Sequence, residues 1–505
     1  MNIEELKYQI LQQFGFPPTP EQAQALDVFV QFMTDSNPHA VMILRGSAGT
    51  GKTSLSGAVV RTLRAVRQKV MLLAPTGRAA KVFSLNSGMP AYTLHRRIYR
   101  EKAFAGVDGQ FNLNDNLYTD TLFMVDEASM IANLGLGGTT FGSGCLLDDL
   151  VHFVYQGRND RLLLIGDKAQ LPPVGEEESP ALSAAMLQGY GLSVYECDLN
   201  EVVRQSQQSG ILFNATRIRQ MITHDDITQL PKIRFSGFSD IREMPGAELI
   251  EALGDSYHYV GLDDTIVVTR SNKRANIFNQ GIRNMVLDRE EELESGDMLM
   301  IVKNNYYWME EERKKIKERQ LSEERKVKSE KFNTLANHIV QSHEIPAFLA
   351  NGDRAKVMKV SRRIELYGFH FATLLLKFPD YDNYELEATV LLDTLTSEAP
   401  ALTHDQQEQL FHKIEEDYQD IPLKADRMKA IRQDPYFNAL QVKFAYAVTC
   451  HKAQGGQWSH VYVDQGYMTD DMLTPDYIHW LYTAFTRATE MLYLVNWPKT
   501  QVEGE

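Results

Sequence analysis

Little in this sequence speaks for an extracellular, membrane-embedded or zinc-bound protein. Only three of its 505 residues are cysteine: Cys145, Cys197 and Cys450. They lie far apart with no C-x-x-C spacing, which argues against a disulfide framework and a structural zinc site. Reduced thiols in a cytoplasmic protein are the expectation. No apolar run approaches the ~20 residues that a membrane-spanning helix needs. The opening stretch, MNIEELKYQI, lacks the basic flank and apolar core of a secretion signal. Hydrophobic residues make up 43% of the chain, ordinary for folded domains, and the length suits three or more of them.

A second shortage is local. The formal net charge is −15, yet residues 36–100 contain no Asp or Glu. The same stretch carries Arg45, Lys52, Arg61, Arg64, Arg67, Lys69, Arg78, Lys81, Arg96, Arg97 and Arg100. A basic field inside an acidic protein suits an anionic ligand larger than one nucleotide. On charge alone, a solvated basic helix explains Arg61 to Lys69 equally well.

Within that field lies the stretch around which the chain is organised. An apolar run from Ala40 to Leu44 reads as a buried strand, and it breaks into Gly46-Ser47-Ala48-Gly49-Thr50-Gly51-Lys52-Thr53-Ser54. The pattern G-x-x-x-x-G-K-[ST] is complete and is followed by a helical segment. This is the phosphate-cradling loop of a nucleoside triphosphatase. Its glycines let successive N–H groups turn toward anionic oxygens, and the helix presents its positive end to the same charge. Lys52 adds a point charge near the outer phosphates, and the Thr53 hydroxyl is suited to Mg²⁺.

Further strand–turn–helix units follow. Lys69–Ala74 runs into Pro75-Thr76-Gly77-Arg78, a turn whose hydroxyl, glycine and bases suit a phosphodiester backbone; His95 and Arg96 offer the same donor types. The buried run 121–125 delivers Asp126 and Glu127 at its carboxyl end. Such paired acids can hold a metal (Asp126) and orient or deprotonate a water (Glu127). Strand 161–165 runs into Gly166-Asp167-Lys168-Ala169-Gln170, where Gln170 can bridge a terminal phosphate or water to a neighbouring domain. These four buried runs imply a parallel sheet covered on both faces. Ahead of them, Thr19-Pro20-Glu21-Gln22 starts a helix, and the Gln22 amide matches the edge of adenine. The turn-rich segment 96–120 reads as a small hairpin excursion with its turn at 107–109 and Phe104 and Phe111 packed beside it. The glycine-rich 135–144 reads as a loop.

A second α/β unit begins near Leu199 and includes strand 265–269. Residues 309–331 form a charged helix whose far end docks through Phe332, Leu335 and Ile339. Residues 351–395, opened by the turn Asn351-Gly352-Asp353, alternate in the manner of a small β-barrel, and a polar helical stretch over 403–434 returns the chain. Strand 443–449 ends in Thr449-Cys450-His451-Lys452-Ala453-Gln454-Gly455; helix 475–488 carries Tyr482 to Arg487, and strand 491–495 closes the unit.

Taken in order, these segments resemble the superfamily 1 helicases, most closely their RecD/Dda/Pif-type branch. PEQAQAL is similar to the Q motif, GSAGTGKTS to motif I, APTGRAAK to Ia, TLHRR to Ib, VDEASM to II and GDKAQLPPVG to III. LNEVVRQ is similar to motif IV, TCHKAQGGQ to V and LYTAFTRA to VI. The resemblance implies an α/β fold of two RecA-like P-loop domains, the first with a hairpin insertion and the second with an SH3-like barrel insertion. The first would span 1–95 and 121–198 around the hairpin 96–120, and the second 199–308 and 441–505. A charged helical insertion would fill 309–350, and the barrel with its helical extension 351–440. It further implies ATP and Mg²⁺ as cofactors, and 5′→3′ translocation of a monomer on single-stranded DNA and at duplex junctions. DNA repair or recombination is the expected setting, and 309–345 could contact a partner protein. Carried over by position, Lys52, Glu127, Gln170, Arg204 and Arg487 would be catalytic, and Gln22, residues 46–54 and Gly455 would bind nucleotide. Thr53 and Asp126 would serve the metal, and Thr76, Gly77, His95, Arg96, Thr449 and His451 would contact DNA. Two rivals stand beside this reading: a nucleic-acid-stimulated ATPase that remodels or switches without unwinding, and an RNA helicase.

Overall fold

The computed structural model describes residues 3–101, 111–135, 142–201, 208–224, 227–329 and 348–504. They divide into two units, Met1–Arg270 with Val448–Glu505, and Ser271–Ala447.

In the first unit, α1 (Ile3–Phe14) and α2 (Pro20–Thr34) precede β1 (Ala40–Gly46). Thr19 caps α2 in a reciprocal box: its hydroxyl accepts from the Gln22 amide N–H, and the Gln22 side-chain carbonyl accepts from the Thr19 N–H. There follow α3 (Lys52–Ala65), β2 (Lys69–Ala74), α4 (Gly77–Ser87), β3 (Ala91–Thr93), α5 (Leu94–Ile98) and the hairpin β4 (Tyr99–Glu101) and β5 (Phe111–Leu113). Then come β6 (Thr121–Val125), α6 (Leu146–Gln156), β7 (Arg161–Gly166), α7 (Ala184–Gly189) and β8 (Ser193–Leu199). The six main strands form one parallel sheet in the order β3-β2-β6-β7-β1-β8. β6 and β7 are buried at every position, as their unbroken apolar runs require. The outer strands β3 and β8 are additions to the four expected runs. β3 is only three residues long, and β8 carries exposed polar residues, so neither shows the continuous apolar signal of a central strand. Leu26, Phe29 and Val30 of α2 pack with Met42, Leu44, Leu55 and Val59 into the core on one face.

The same unit continues through α8 (Gly210–Thr223), β9 (Ile241–Met244), α9 (Leu249–Tyr259) and β10 (Thr265–Thr269). The second unit contains α10 (Asn272–Gly281), β11 (Met298–Ile301), α11 (Tyr307–Ser329), β12 (Arg354–Leu366), β13 (Phe369–Phe378) and β14 (Tyr384–Leu391). It ends with α12 (His404–Asp417), α13 (Lys424–Arg432) and β15 (Leu440–Phe444). β16 (Ala447–Thr449), α14 (Cys450–Ala453), β17 (Trp458–Asp464), α15 (Pro475–Phe485) and β18 (Ala488–Val495) complete the chain, and a second sheet runs β16-β10-β17-β18-β9.

The barrel is closed and larger than 351–440. Its five strands are β11 to β15, so 298–301 and 441–444, assigned from sequence to the second α/β domain, belong to the barrel wall. The expected strand 443–449 is therefore two strands. Between them the Asn279 side-chain carbonyl accepts from the N–H groups of Tyr446 and Ala447, and its amide donates to the carbonyls of Phe444 and Ala447. A side chain thus replaces ladder partners at the break, which an uninterrupted β pattern does not reveal. The charged helix α11 starts two residues before the expected boundary, with Trp308 buried and donating to the Asn438 carbonyl. Phe332, Leu335 and Ile339, the 107–109 turn, Phe104 and most of the glycine loop lie outside the described residues. Among the described residues no helix is long and apolar enough to cross a membrane.

Candidate functional site

The phosphate loop sits between the end of β1 and the start of α3. Gly49 (φ 77°) and Gly51 (φ 82°) occupy the left-handed region, where a side chain would be strained. A Cβ on Gly46 would lie 2.9 Å from Lys52 Cγ and from Thr50 Oγ1, so this glycine is required by close packing of the loop on itself. Lys52 Nζ donates to the Ser47 carbonyl at 3.0 Å and to the Gly46 carbonyl. The α3 N-terminus has no side-chain cap, and Thr53 and Ser54 are exposed there. An uncapped helix start with exposed hydroxyls is a site for an anion and a hard cation.

Gln22, expected to read adenine, lies against the phosphate loop. Its side-chain amide donates to the Thr50 carbonyl at 2.9 Å, its carbonyl completes the α2 cap, and the residue is 2% exposed. Both ends of the amide are engaged within the protein, the nitrogen with the loop and the oxygen with the helix cap.

Asp126 and Glu127 follow β6. The Asp126 carboxylate accepts from the Glu127 N–H at 2.9 Å. Burial and the adjoining Glu127 charge push the Asp126 carboxyl up to about 7, opposed by Lys52 nearby. Glu127 holds a left-handed backbone (φ 53°, ψ 37°), rare for a non-glycine residue and found at functional turns. After β7, Gln170 is 8% exposed, and its Oε1 has no hydrogen-bond partner among the described residues.

Residues from the second sheet reach this loop. The Tyr482 hydroxyl on α15 accepts from the Ala48 N–H at 3.0 Å and donates to Asp167 Oδ2 at 2.6 Å. Thr483 Oγ1 accepts from the Leu171 N–H at 2.8 Å, and Gln454 Nε2 donates to the Leu171 carbonyl at 2.7 Å. Arg219 on α8 donates from Nη1 to Ser47 Oγ at 2.8 Å. None of Tyr482, Asp167 or Arg219 was singled out from sequence. An arginine at one position of a polar helix carries no signal of what it faces.

Arg204 lies outside the described residues. Arg487 is 2% exposed, and its guanidinium donates to the Thr483 and Gly456 carbonyls and to Thr486 Oγ1. It stabilises the end of α15 and the turn after α14. Gly455, expected at the nucleotide, packs against the turn after β2. A Cβ there would lie 3.0 Å from Thr76 Oγ1 and 3.1 Å from Ala79 Cβ, and the nearest atoms include none of the phosphate loop. Its φ of 72° and this close approach explain the glycine.

The residues expected at DNA are spread over the ends of both sheets. Thr76 caps α4 by accepting from the Ala79 N–H, with Gly77 buried behind it. Arg78 donates to the Gln457 carbonyl and stacks on Trp458 at 4.3 Å, so the turn after β2 touches the turn after α14. Arg96 and Arg97 lie over the Tyr92 ring at 5.1 and 3.7 Å. His95 is held neutral, pushed down to about 4 by burial. Thr449 is half-buried at the start of α14 and makes no side-chain cap, and His451 beside it is exposed.

Residues 18–230 match the AAA domain family, and residues 444–495 match the UvrD-like helicase C-terminal domain. An ATP-dependent RecD2 DNA helicase of Deinococcus radiodurans is 31% identical over 38% of this chain and 22% of its own length. The ATP-dependent DNA helicase dda of Enterobacteria phage T4 is 23% identical over 56% of this chain and 60% of its own. A Pif1 helicase from Bacteroides, solved with ADP-AlF3 and single-stranded DNA, aligns over 97% of this chain and 95% of that one at 13% identity and a TM-score of 0.44. The chain spans between 13% and 60% of the length of the curated relatives it matches. With the phosphate loop, the paired acids and the Gln170 turn in one sheet and the α15 motif docked on them, the two domain matches and the sequence relatives make this chain similar to the superfamily 1 helicases of the RecD/Dda type.

Proposed function

We propose that this protein is an ATP-dependent DNA helicase that moves 5′→3′ along single-stranded DNA and unwinds duplex at junctions, working as a cytoplasmic monomer. One lobe is the sheet that carries the phosphate loop; the other is the sheet that carries α15. One observation carries the reading: the phosphate loop and the turn after β7 are hydrogen-bonded by Tyr482, Thr483, Gln454 and Arg219, all from elements of the second sheet. A change at the loop must therefore alter how the two sheets meet, which is what a motor requires. The names of the RecD2 and dda relatives favour DNA over RNA.

The residues fit a magnesium nucleotide. Thr53 and Asp126 offer the hard oxygens that Mg²⁺ prefers, beside an uncapped helix start, and the unfilled Gln170 Oε1 is an acceptor awaiting a partner such as water. The ion, when bound, would offset charge on the phosphates. Among the described residues Lys52 has only carbonyl hydrogen-bond partners, and it would exchange them for phosphate oxygens, freeing the loop to close. Glu127 would orient and deprotonate the attacking water, with Gln170 holding that water toward the second lobe. Thr76, Gly77, His95, Arg96, Thr449 and His451 would then grip the strand alternately as the lobes approach and separate.

The test is ATPase rate with single-stranded DNA, with RNA and with neither, then strand displacement from each tail polarity. Lys52→Ala should abolish DNA-stimulated ATPase and unwinding while single-strand binding persists. Unwinding retained by that variant refutes the ATP-driven assignment. Unwinding only from 3′ tails overturns the polarity; stimulation only by RNA, or ATPase without displacement, favours the two rivals.

A further inference from the structure

Arg219 is the one cation that reaches the phosphate loop from the second sheet among the described residues, and it lies outside every helicase motif recognised in the sequence. Its Nη1 donates to Ser47 Oγ at 2.8 Å and to Asn200 Oδ1 at 3.2 Å, and Nη2 donates to the Asn200 carbonyl at 3.3 Å. All these acceptors are neutral, and no carboxylate pairs with Arg219 among the described residues. Its Nε–H is buried without an acceptor there. A half-buried guanidinium that meets only neutral oxygens would form stronger, charge-assisted hydrogen bonds with an anion, so an anion arriving within reach is favoured. The site in front of it is built to hold one: Ser47 opens the loop, and the uncapped α3 N-terminus follows it. Asn200, which carries two of its three acceptors, is itself fixed. The Glu21 carboxylate of α2 accepts from the N–H groups of both Asn200 and Glu201. Arg219 is thus held on a stay that begins in the first lobe.

We propose that Arg219 is a nucleotide-sensing arginine: Ser47 Oγ is its resting partner, and in the triphosphate complex its guanidinium transfers to a terminal phosphate oxygen, drawing α8 toward the loop. This rests on the ATP-binding reading above. It assigns to Arg219 a phosphate contact distinct from the one expected of Arg487, whose Nε, Nη1 and Nη2 each donate to a carbonyl or hydroxyl oxygen.

The test compares affinity for a slowly hydrolysed fluorescent ATP analogue with that for fluorescent ADP, in the full-length protein and in Arg219→Ala and Arg219→Gln, alongside DNA-stimulated turnover. The expected result is at least a tenfold loss of affinity for the triphosphate in both variants, ADP affinity unchanged within twofold, and a fall in turnover of roughly 1,000-fold or more, the low end for phosphate-contacting arginines. Arg219→Lys should recover only part of the discrimination, because a point charge lacks the planar fork. Equal loss for ATP and ADP assigns Arg219 to holding the Asn200 segment and overturns the proposal, as does unchanged affinity for both. The binding comparison needs no turnover. If the unaltered protein binds ATP but shows no nucleic-acid-stimulated hydrolysis, the helicase reading fails while the sensing role still stands or falls on the ATP/ADP ratio.

Discussion

At the residue scale, the Tyr482 hydroxyl serves two groups at once, accepting from the Ala48 amide and donating to the buried Asp167 carboxylate. Burial and the Asp167 charge push the phenol well above its ordinary range, so it stays protonated and remains a donor at any physiological pH. Tyr482→Phe keeps the ring and removes both bonds. Leaving a buried carboxylate short of a donor costs about 1–3 kcal/mol. Urea unfolding of the variant should show a loss in that range, and a change under ~0.5 kcal/mol would mean that Asp167 is satisfied by other groups. The fixed positions of the phosphate loop were legible because they are contiguous: Gly46 to Ser54 carry their geometry within nine neighbouring residues. Tyr482 and Arg219 were not, because their partners lie 434 and 172 residues away along the chain. Gln22 shows a subtler limit. Its amide suits adenine in chemistry, but the same donor and acceptor also suit a helix cap and a loop carbonyl, and the fold uses them there.

At the element scale, the barrel depends on Asp297, fully buried just ahead of β11. Its carboxylate accepts from Arg283 Nε at 3.0 Å, from Arg289 and from the Tyr446 hydroxyl at 2.8 Å, and also from the Glu294 N–H. Two guanidinium groups share one acid, and Arg283 is itself 2% exposed, with its guanidinium over the Phe444 ring at 4.5 Å. Removing the acid strands a buried cation, a loss of about 3–5 kcal/mol. Asp297→Ala should therefore lower the thermal midpoint of the barrel unit strongly, and Asp297→Asn less. A shift of under 2 °C in Asp297→Ala would show that Arg283 finds another partner. Alternation made β12 to β14 readable as a barrel, whereas β11 is a four-residue apolar run and β15 alternates apolar with polar over only five residues, too short to say which sheet either joins. Only pairing β11 with β12 and β15 settles to which sheet they belong.

At the scale of the molecule, charge is segregated: −15 over the chain, with an acid-free, basic stretch over 36–100. Single-strand binding through such a field should weaken as salt rises, with a log–log slope of about −0.7 for each phosphate neutralised. If Arg96 is one of the contacts, Arg96→Gln should flatten that slope by about one phosphate's worth, measured by anisotropy of a labelled oligonucleotide across a salt series. An unchanged slope would leave Arg96 to its place over Tyr92. Other members of the basic stretch are already committed within the fold: Arg45 pairs with Asp198 and Glu196, and Arg61 donates to the carbonyls of Asn86 and Gln13. Counting bases in the sequence therefore overstates the field presented to a ligand.

The sequence by itself determined the chemistry of the phosphate loop, the acids at the end of β6 and the alternation of strands with helices, since each is written in residues that are neighbours along the chain. The tertiary structure alone decided which side chains of the second sheet meet that loop, where Arg487 and Gly455 sit, and where the barrel begins and ends. Those outcomes depend on which distant hydrogen-bonding groups satisfy one another once buried, and no local pattern records that choice.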